Sequence, residues 1–90
     1  MDIVVKHNLQ DRRFEVMIGS DLAFLEYKFV PGGLNLIHTY VPKAHEGQGI
    51  ASQLVKEAIK YADSKDLKFK STCPYVRDYM MKKCLFSKMM

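Results

Sequence analysis

The sequence predicts an α/β fold of the α+β kind: a mixed, mostly antiparallel sheet, one main helix after a glycine loop, and a short C-terminal helix. Three observations predict it. Runs of two-residue alternation broken by turn residues fill the chain up to Val41. From Ile50 the apolar residues recur at helical spacing, and a further alternating run follows at 67–73. Strand, helix and strand in succession make a βαβ unit, so the last strand is expected parallel to the one before the helix.

Residues 3–6 are apolar and β-branched, the polar cluster 8–12 reads as a turn, and Phe14, Val16 and Ile18 alternate with Arg13, Glu15 and Met17. Together they predict a hairpin. Gly19, Ser20 and Asp21 mark the next turn, and residues 22–30 form a longer strand whose core face is expected to carry Ala23, Leu25, Tyr27 and Phe29. Pro31, Gly32 and Gly33 turn the chain into a strand at 34–41, with Leu34, Leu36, His38 and Tyr40 on one face by strict alternation. Four strands joined by short turns imply an antiparallel meander. In the helix, Ile50, Leu54, Ala58 and Ala62 form the apolar stripe, with Val55, Ile59 and Tyr61 beside it. Residues 64–66 end it, 67–73 form the last strand, Pro74 stops that strand, and 75–83 read as a second short helix.

Ninety residues with 48% hydrophobic content suit one packed domain spanning 1–90, with no room for separate catalytic and substrate domains. A net charge of +4 suits an anionic ligand as well as it suits an ordinary solvated surface. The basic residues are scattered and the aromatic ones fall at core spacing, so a nucleic-acid role ranks third, behind catalysis and a binding module. No apolar run is long enough to span a membrane and no signal-peptide pattern opens the chain, so a cytoplasmic protein is expected. Cys73 and Cys84 are too few for a disulfide framework and lack the partners of a zinc site, so free thiols and no bound metal are expected.

The stretch HTYVPKAHEGQGIASQLV, which starts at His38, joins the strand to the helix. Gly47 and Gly49 allow a sharp turn and a close approach to bare backbone, and the first helical N–H groups have no intrahelical partner. Such a helix start favours a phosphate. The spacing fits neither a Walker A loop nor a dinucleotide fingerprint. Because the glycine loop and Cys73 end neighbouring parallel strands, both are expected at one edge of the sheet, where open α/β sheets hold ligands.

As an ordered set, HTYV, the glycine loop, the helix and a strand ending in STCPYV resemble the core of the GNAT superfamily of N-acetyltransferases, in particular its minimal single-domain subfamily. The resemblance runs from about Arg13 to Arg77. It implies a GNAT-like fold and binding of acetyl-CoA as co-substrate. The implied contacts are the strand backbone at Thr39, Tyr40 and Val41 for the pantetheine arm, and the amides of Glu46, Gly47, Gln48, Gly49, Ile50, Ala51 and Ser52 for the pyrophosphate. Glu46 stands where the superfamily has Gln or Arg, and a carboxylate beside phosphates weakens binding by like-charge repulsion. Lys43 and His45 either offset that charge or are plain solvent-facing loop residues.

The resemblance also gives Cys73 a role, as the strand-end thiol that accepts the acetyl group or lies next to the acyl carbon. Its other reading is a small buried hydrophobe. His38 is either the base that partners Cys73 or a satisfied core histidine, since alternation puts it beside Leu34 and Leu36. Direct transfer to an amine, with no covalent enzyme intermediate, is the usual superfamily route. The function implied is an N-acetyltransferase acting on a primary amine that the residues do not name. The alternative is a non-catalytic CoA-binding or protein-interaction module on the same scaffold, which the shortness of the chain supports.

Overall fold

The computed structural model describes residues 4–71 and 76–78. Five strands, β1 (Lys6–Asn8), β2 (Arg13–Ile18), β3 (Asp21–Val30), β4 (Gly33–Tyr40) and β5 (Lys68–Ser71), form one sheet in chain order, with the helix α1 (Ile50–Ser64) between β4 and β5. The first four strands pair antiparallel as a meander, and β4 pairs with β5 in parallel from Gly33↔Lys68 to Leu36↔Ser71. The predicted mixed, mostly antiparallel sheet and its parallel βαβ closure are therefore present. Of the expected second helix, residues 76–78 are described and helical.

α1 covers one face of the sheet. Its Ile50, Leu54, Val55, Ala58 and Ala62 are at most 1% exposed, and they share one core with Phe14, Val16, Ala23, Leu25, Tyr27, Leu34, Leu36 and Phe69. Each strand supplies alternate residues to this face because successive side chains point to opposite sides of a pleated backbone. The expected core residue Phe29 is instead 46% exposed. It lies near the end of β3, edge-on to the Tyr27 ring at 5.5 Å and beneath the Arg12 guanidinium at 5.8 Å.

The first strand begins later than its apolar run suggests and includes Asn8, through the register Lys6↔Glu15, His7↔Phe14 and Asn8↔Arg13. Hairpin pairing decides this boundary, and the Asn8 side chain makes the turn by accepting the Asp11 N–H at 3.0 Å. His7 then reaches the covered face, stacked on Phe14 at 4.2 Å and edge-on to Tyr61 at 4.4 Å. Its Nε2 is hydrogen-bonded to the Tyr27 hydroxyl.

A break in the alternation of β4 decides which face His38, Thr39 and Tyr40 occupy. Tyr27 pairs with Leu36 but Glu26 pairs with His38, so Ile37 is an extra residue in β4, a β-bulge. Before it, the even-numbered Leu34 and Leu36 are buried under α1; after it, Thr39 follows Leu25 on that side, while His38 and Tyr40 turn to the opposite face. Ser71 Oγ donates to the Leu36 carbonyl at 2.7 Å, tying β5 to β4 just before the bulge.

Two measurements test this packing. Leu36→Ala empties a site that is 0% exposed, and the expected loss is about 2–5 kcal/mol in urea unfolding. Burial lowers the His7 pKa from 6.5, so the unfolded chain takes up a proton before the folded one does. Stability is then full above pH 6.5 and falls as the pH drops from 6.5 toward the lowered folded value. Unfolding free energies measured across that window are expected to lose this slope in His7→Phe. At the alkaline end, burial pushes Tyr27 up to about 12, with Tyr61 adding to the rise and Arg12 opposing it. Its contribution is full below the ordinary tyrosine value of 10 and is lost as the pH rises from there.

Candidate functional site

β4 brings Thr39 and Tyr40 to the end of the sheet, where Val41 and Pro42 carry the chain out of it. A 3₁₀ turn at Lys43–His45 follows, closed by the His45 N–H on the Pro42 carbonyl at 2.9 Å and the Glu46 N–H on the Lys43 carbonyl at 3.3 Å. Gly47 and Gly49 then take φ values of 82° and 79°, a left-handed region that costs a side-chain-bearing residue about 1–2 kcal/mol.

Gly49 caps α1 without a side-chain hydrogen bond, and the first turn holds no acidic residue. The first intrahelical bond runs from the Gln53 N–H to the Gly49 carbonyl at 3.1 Å, which leaves the amides of Ile50, Ala51 and Ser52 with no partner within the helix. A Cβ placed on Gly47 or Gly49 would meet no atom within 4 Å. The outer side of the loop is thus open space.

Strand end, loop and helix start line a cleft of about 630 Å³, within the range of roughly 300–1,000 Å³ common to small-molecule sites. From β4 and the residue after it come Thr39, Tyr40 and Val41; from the loop, His45, Glu46, Gly47 and Gly49; from α1, Ile50 and Ala51. Every one of these except His45 is a residue for which the family resemblance implies cofactor contact. Gln48 and Ser52, also assigned there, do not line the cleft.

Sequence reading missed the way the loop is held. His45 Nε2 lies 2.9 Å from Asp21 Oδ2, joining the loop to the first residue of β3 across 24 positions of chain. Each partner alone looks like an ordinary loop residue, so only the fold reveals the pair. Glu46 is exposed in the cleft wall and adds a negative charge there; Lys43 is exposed nearby.

The position of His38 differs from the alternation-based expectation. It is exposed on the face away from α1, not beside Leu34 and Leu36, because the bulge at Ile37 reverses the phase of the strand. The core-histidine reading falls with it. A signal for the bulge existed in the sequence, since the apolar phase moves from Leu34 and Leu36 to Ile37 and Val41. His38 lies 5.9 Å from the Phe24 ring, which in turn is 5.5 Å from Tyr40. Cys73, its expected partner, lies outside the described residues, as does Cys84. Among the described residues, no three His, Cys, Asp or Glu side chains are grouped to hold a metal ion, and no helix is long and apolar enough to cross a membrane.

The fold is similar to that of a GCN5-like protein from Staphylococcus aureus solved by NMR. The two structures align with a TM-score of 0.75 over 96% of this chain and 85% of that one, at 24% sequence identity. Protein NATD1 from Mus musculus is 40% identical over 81 residues, which are 87% of this chain and 74% of the relative. The Homo sapiens protein of that name is 38% identical over 81 residues, 87% of this chain and 72% of the relative. The family model for GCN5-related N-acetyl-transferase matches residues 13–89. The chain belongs to the GCN5-related N-acetyltransferase family, whose members typically use acetyl-CoA.

The loop geometry yields a prediction independent of any ligand. Gly49→Ala is expected to destabilise the fold by about 1–2 kcal/mol through left-handed strain alone, because the space around the position is open. Gly49→Asn, whose side chain tolerates that region, should lose less. Equal urea midpoints for glycine and alanine at this position would show that the loop relaxes out of the observed conformation.

Proposed function

We propose that this protein binds acetyl-CoA in the cleft at the end of β4 and moves the acetyl group to a primary amine. The observation that carries the reading is the coincidence in one cleft of the strand end, the two left-handed glycines and an uncapped helix start with no acidic residue in its first turn. Each part suits one part of the ligand. Amides of Ile50 and Ala51, at the positive end of the helix dipole, suit the pyrophosphate. The β4 backbone at Thr39, Tyr40 and Val41 suits the amide-bearing pantetheine arm. Glu46 opposes the phosphates and lowers affinity without removing it, because the attraction comes from backbone N–H groups that the carboxylate does not replace.

In the direct route, the amine nitrogen attacks the thioester carbonyl carbon. The N–C bond forms, the C–S bond breaks, and CoA leaves as the thiolate. The ammonium form of the acceptor must first lose a proton, and exposed His38, next to Thr39 in β4, is the proposed base. In the covalent route, the Cys73 thiolate attacks the same carbon and CoA leaves as the thiolate; the amine then attacks the Cys73 thioester and the Cys73 thiolate leaves. The family membership supports acetyl transfer, and the non-catalytic CoA-binding module remains the competing outcome. The free thiols expected of Cys73 and Cys84 support a cytoplasmic setting.

Calorimetric titration with acetyl-CoA at low salt tests the proposal, with saturable one-to-one binding expected. At a hundredfold excess over Kd the ligand should stabilise the fold by about 2.7 kcal/mol. Gly49→Val, if folded by circular dichroism, should bind at least about tenfold more weakly because its branches block the approach to the loop amides. No heat together with an unmoved melting temperature would sink the acetyl-CoA reading. Binding without transfer to any amine would leave the module. Cys73→Ala is expected to keep acetyl-CoA binding; full transfer activity in that variant eliminates the covalent route.

A further inference from the structure

The sheet face away from α1 carries a cluster of side chains of which Tyr40 alone also lines the cleft. Because of the bulge, His38 and Tyr40 emerge there in register with β3, His38 across from Glu26 and Tyr40 across from Phe24. Their rings and that of Phe24 form a shelf, with centroid separations of 5.9 Å for Phe24 to His38 and 5.5 Å for Phe24 to Tyr40. Tyr40 is 46% exposed and His38 is exposed, so the shelf faces solvent. Tyr40 also lines the cleft, which makes the shelf and the cleft continuous.

Glu26 stands out within this cluster. Its side chain is partly buried, and among the described residues it has no side-chain hydrogen bond or ion pair. The nearby cation is already committed: Arg13, across from Glu26 in β2, is bonded to Glu15 and lies 3.8 Å from Asp11. Its guanidinium also sits 5.4 Å from the centroid of the Phe24 ring. An ammonium group beside this carboxylate would gain a charge-assisted hydrogen bond, and aromatic faces attract cations. The arrangement asks for a positive charge carried on an apolar body.

We propose that this shelf is the acceptor subsite, and that it takes a small free primary amine whose ammonium group bears an apolar, preferably aromatic, body. The ammonium binds Glu26 and the body stacks on Phe24 and Tyr40. His38, across the strand gap from Glu26, then lies beside the nitrogen that must lose a proton. Amino sugars and acidic amines find no match on it, since their hydroxyl or carboxylate groups would meet rings and a carboxylate. The transfer role of the subsite rests on the acetyl-CoA reading, but amine binding itself does not.

The test is an NMR titration of the ¹⁵N-labelled protein with three probes. These are 2-phenylethylamine, 2-phenylethanol as the same body without charge, and Nα-acetyl-lysine methylamide as a peptide-like amine. Saturable shifts centred on Phe24, Glu26, His38 and Tyr40 are expected for 2-phenylethylamine. The alcohol, and 2-phenylethylamine with Glu26→Gln, should each bind at least about tenfold more weakly, the loss typical of one charge-assisted contact. Equal binding by the alcohol, unchanged affinity in Glu26→Gln, or tighter binding by the lysine derivative overturns the proposal. Acetyl-CoA calorimetry on the same samples separates the two readings. Amine selectivity without acetyl-CoA binding leaves the subsite standing and removes the transfer role. Acetyl-CoA binding without amine selectivity does the reverse.

Discussion

The double obligation of β4 governs the rest of the molecule. It must complete an antiparallel ladder with β3 and a parallel one with β5, bury Leu34 and Leu36 under α1, and deliver its end to the glycine loop. A strand of unbroken alternation would put His38 and Tyr40 under the helix, where a polar ring and a phenol need partners that the apolar core lacks. The unpaired Ile37 removes that conflict by reversing the phase once. Apolar residues before it and Thr39 after it face the helix side, while the polar aromatic pair goes to the other side. The single extra residue thus separates the part of the strand that stabilises the fold from the part available for chemistry.

Around that strand the two ends of the sheet are built differently. At the β1 end, a short edge strand is held by ring packing, with His7 against Phe14, Tyr27 and Tyr61. Such aromatic contacts add about 0.5–1.5 kcal/mol each beyond area burial, which matters for a strand of three residues. Where β4 leaves the sheet, the structure is mainly backbone: a 3₁₀ turn, two left-handed glycines and a helix start, anchored from outside by the His45 to Asp21 link. Rigid packing and exposed main-chain donors are thereby kept apart.

The legibility of the chain follows from how local each signal is. Alternation in β2 and β3, the helical stripe from Ile50 to Ala62 and the Pro31-Gly32 turn depend on near neighbours, so they could be read directly. The parallel β4 to β5 pairing followed from connectivity, and the loop residues that gather at the cleft followed from the glycines and the family resemblance together. Three features escaped because they depend on distant chain. Asp21 meets His45 only through the fold, Asn8 joins β1 only through its register with Arg13, and the face of His38 depends on a ladder that skips one residue. Phe29 was misjudged for a related reason: its alternation is correct, but α1 does not cover that end of β3.

The sheet order, identical to the chain order, has a kinetic consequence. Each of the first three pairings closes only a short turn, so the meander can grow from one hairpin to the next as the chain is made. The β4 to β5 contact is different, since Leu36 and Ser71 are 35 residues apart and α1 must form between them. Loop closure over that distance has to precede the contacts that reward it. The meander is therefore expected to assemble first and the parallel strand to dock last. Substitutions in β5 should then change the unfolding rate far more than the folding rate, which stopped-flow kinetics would register as φ-values near zero.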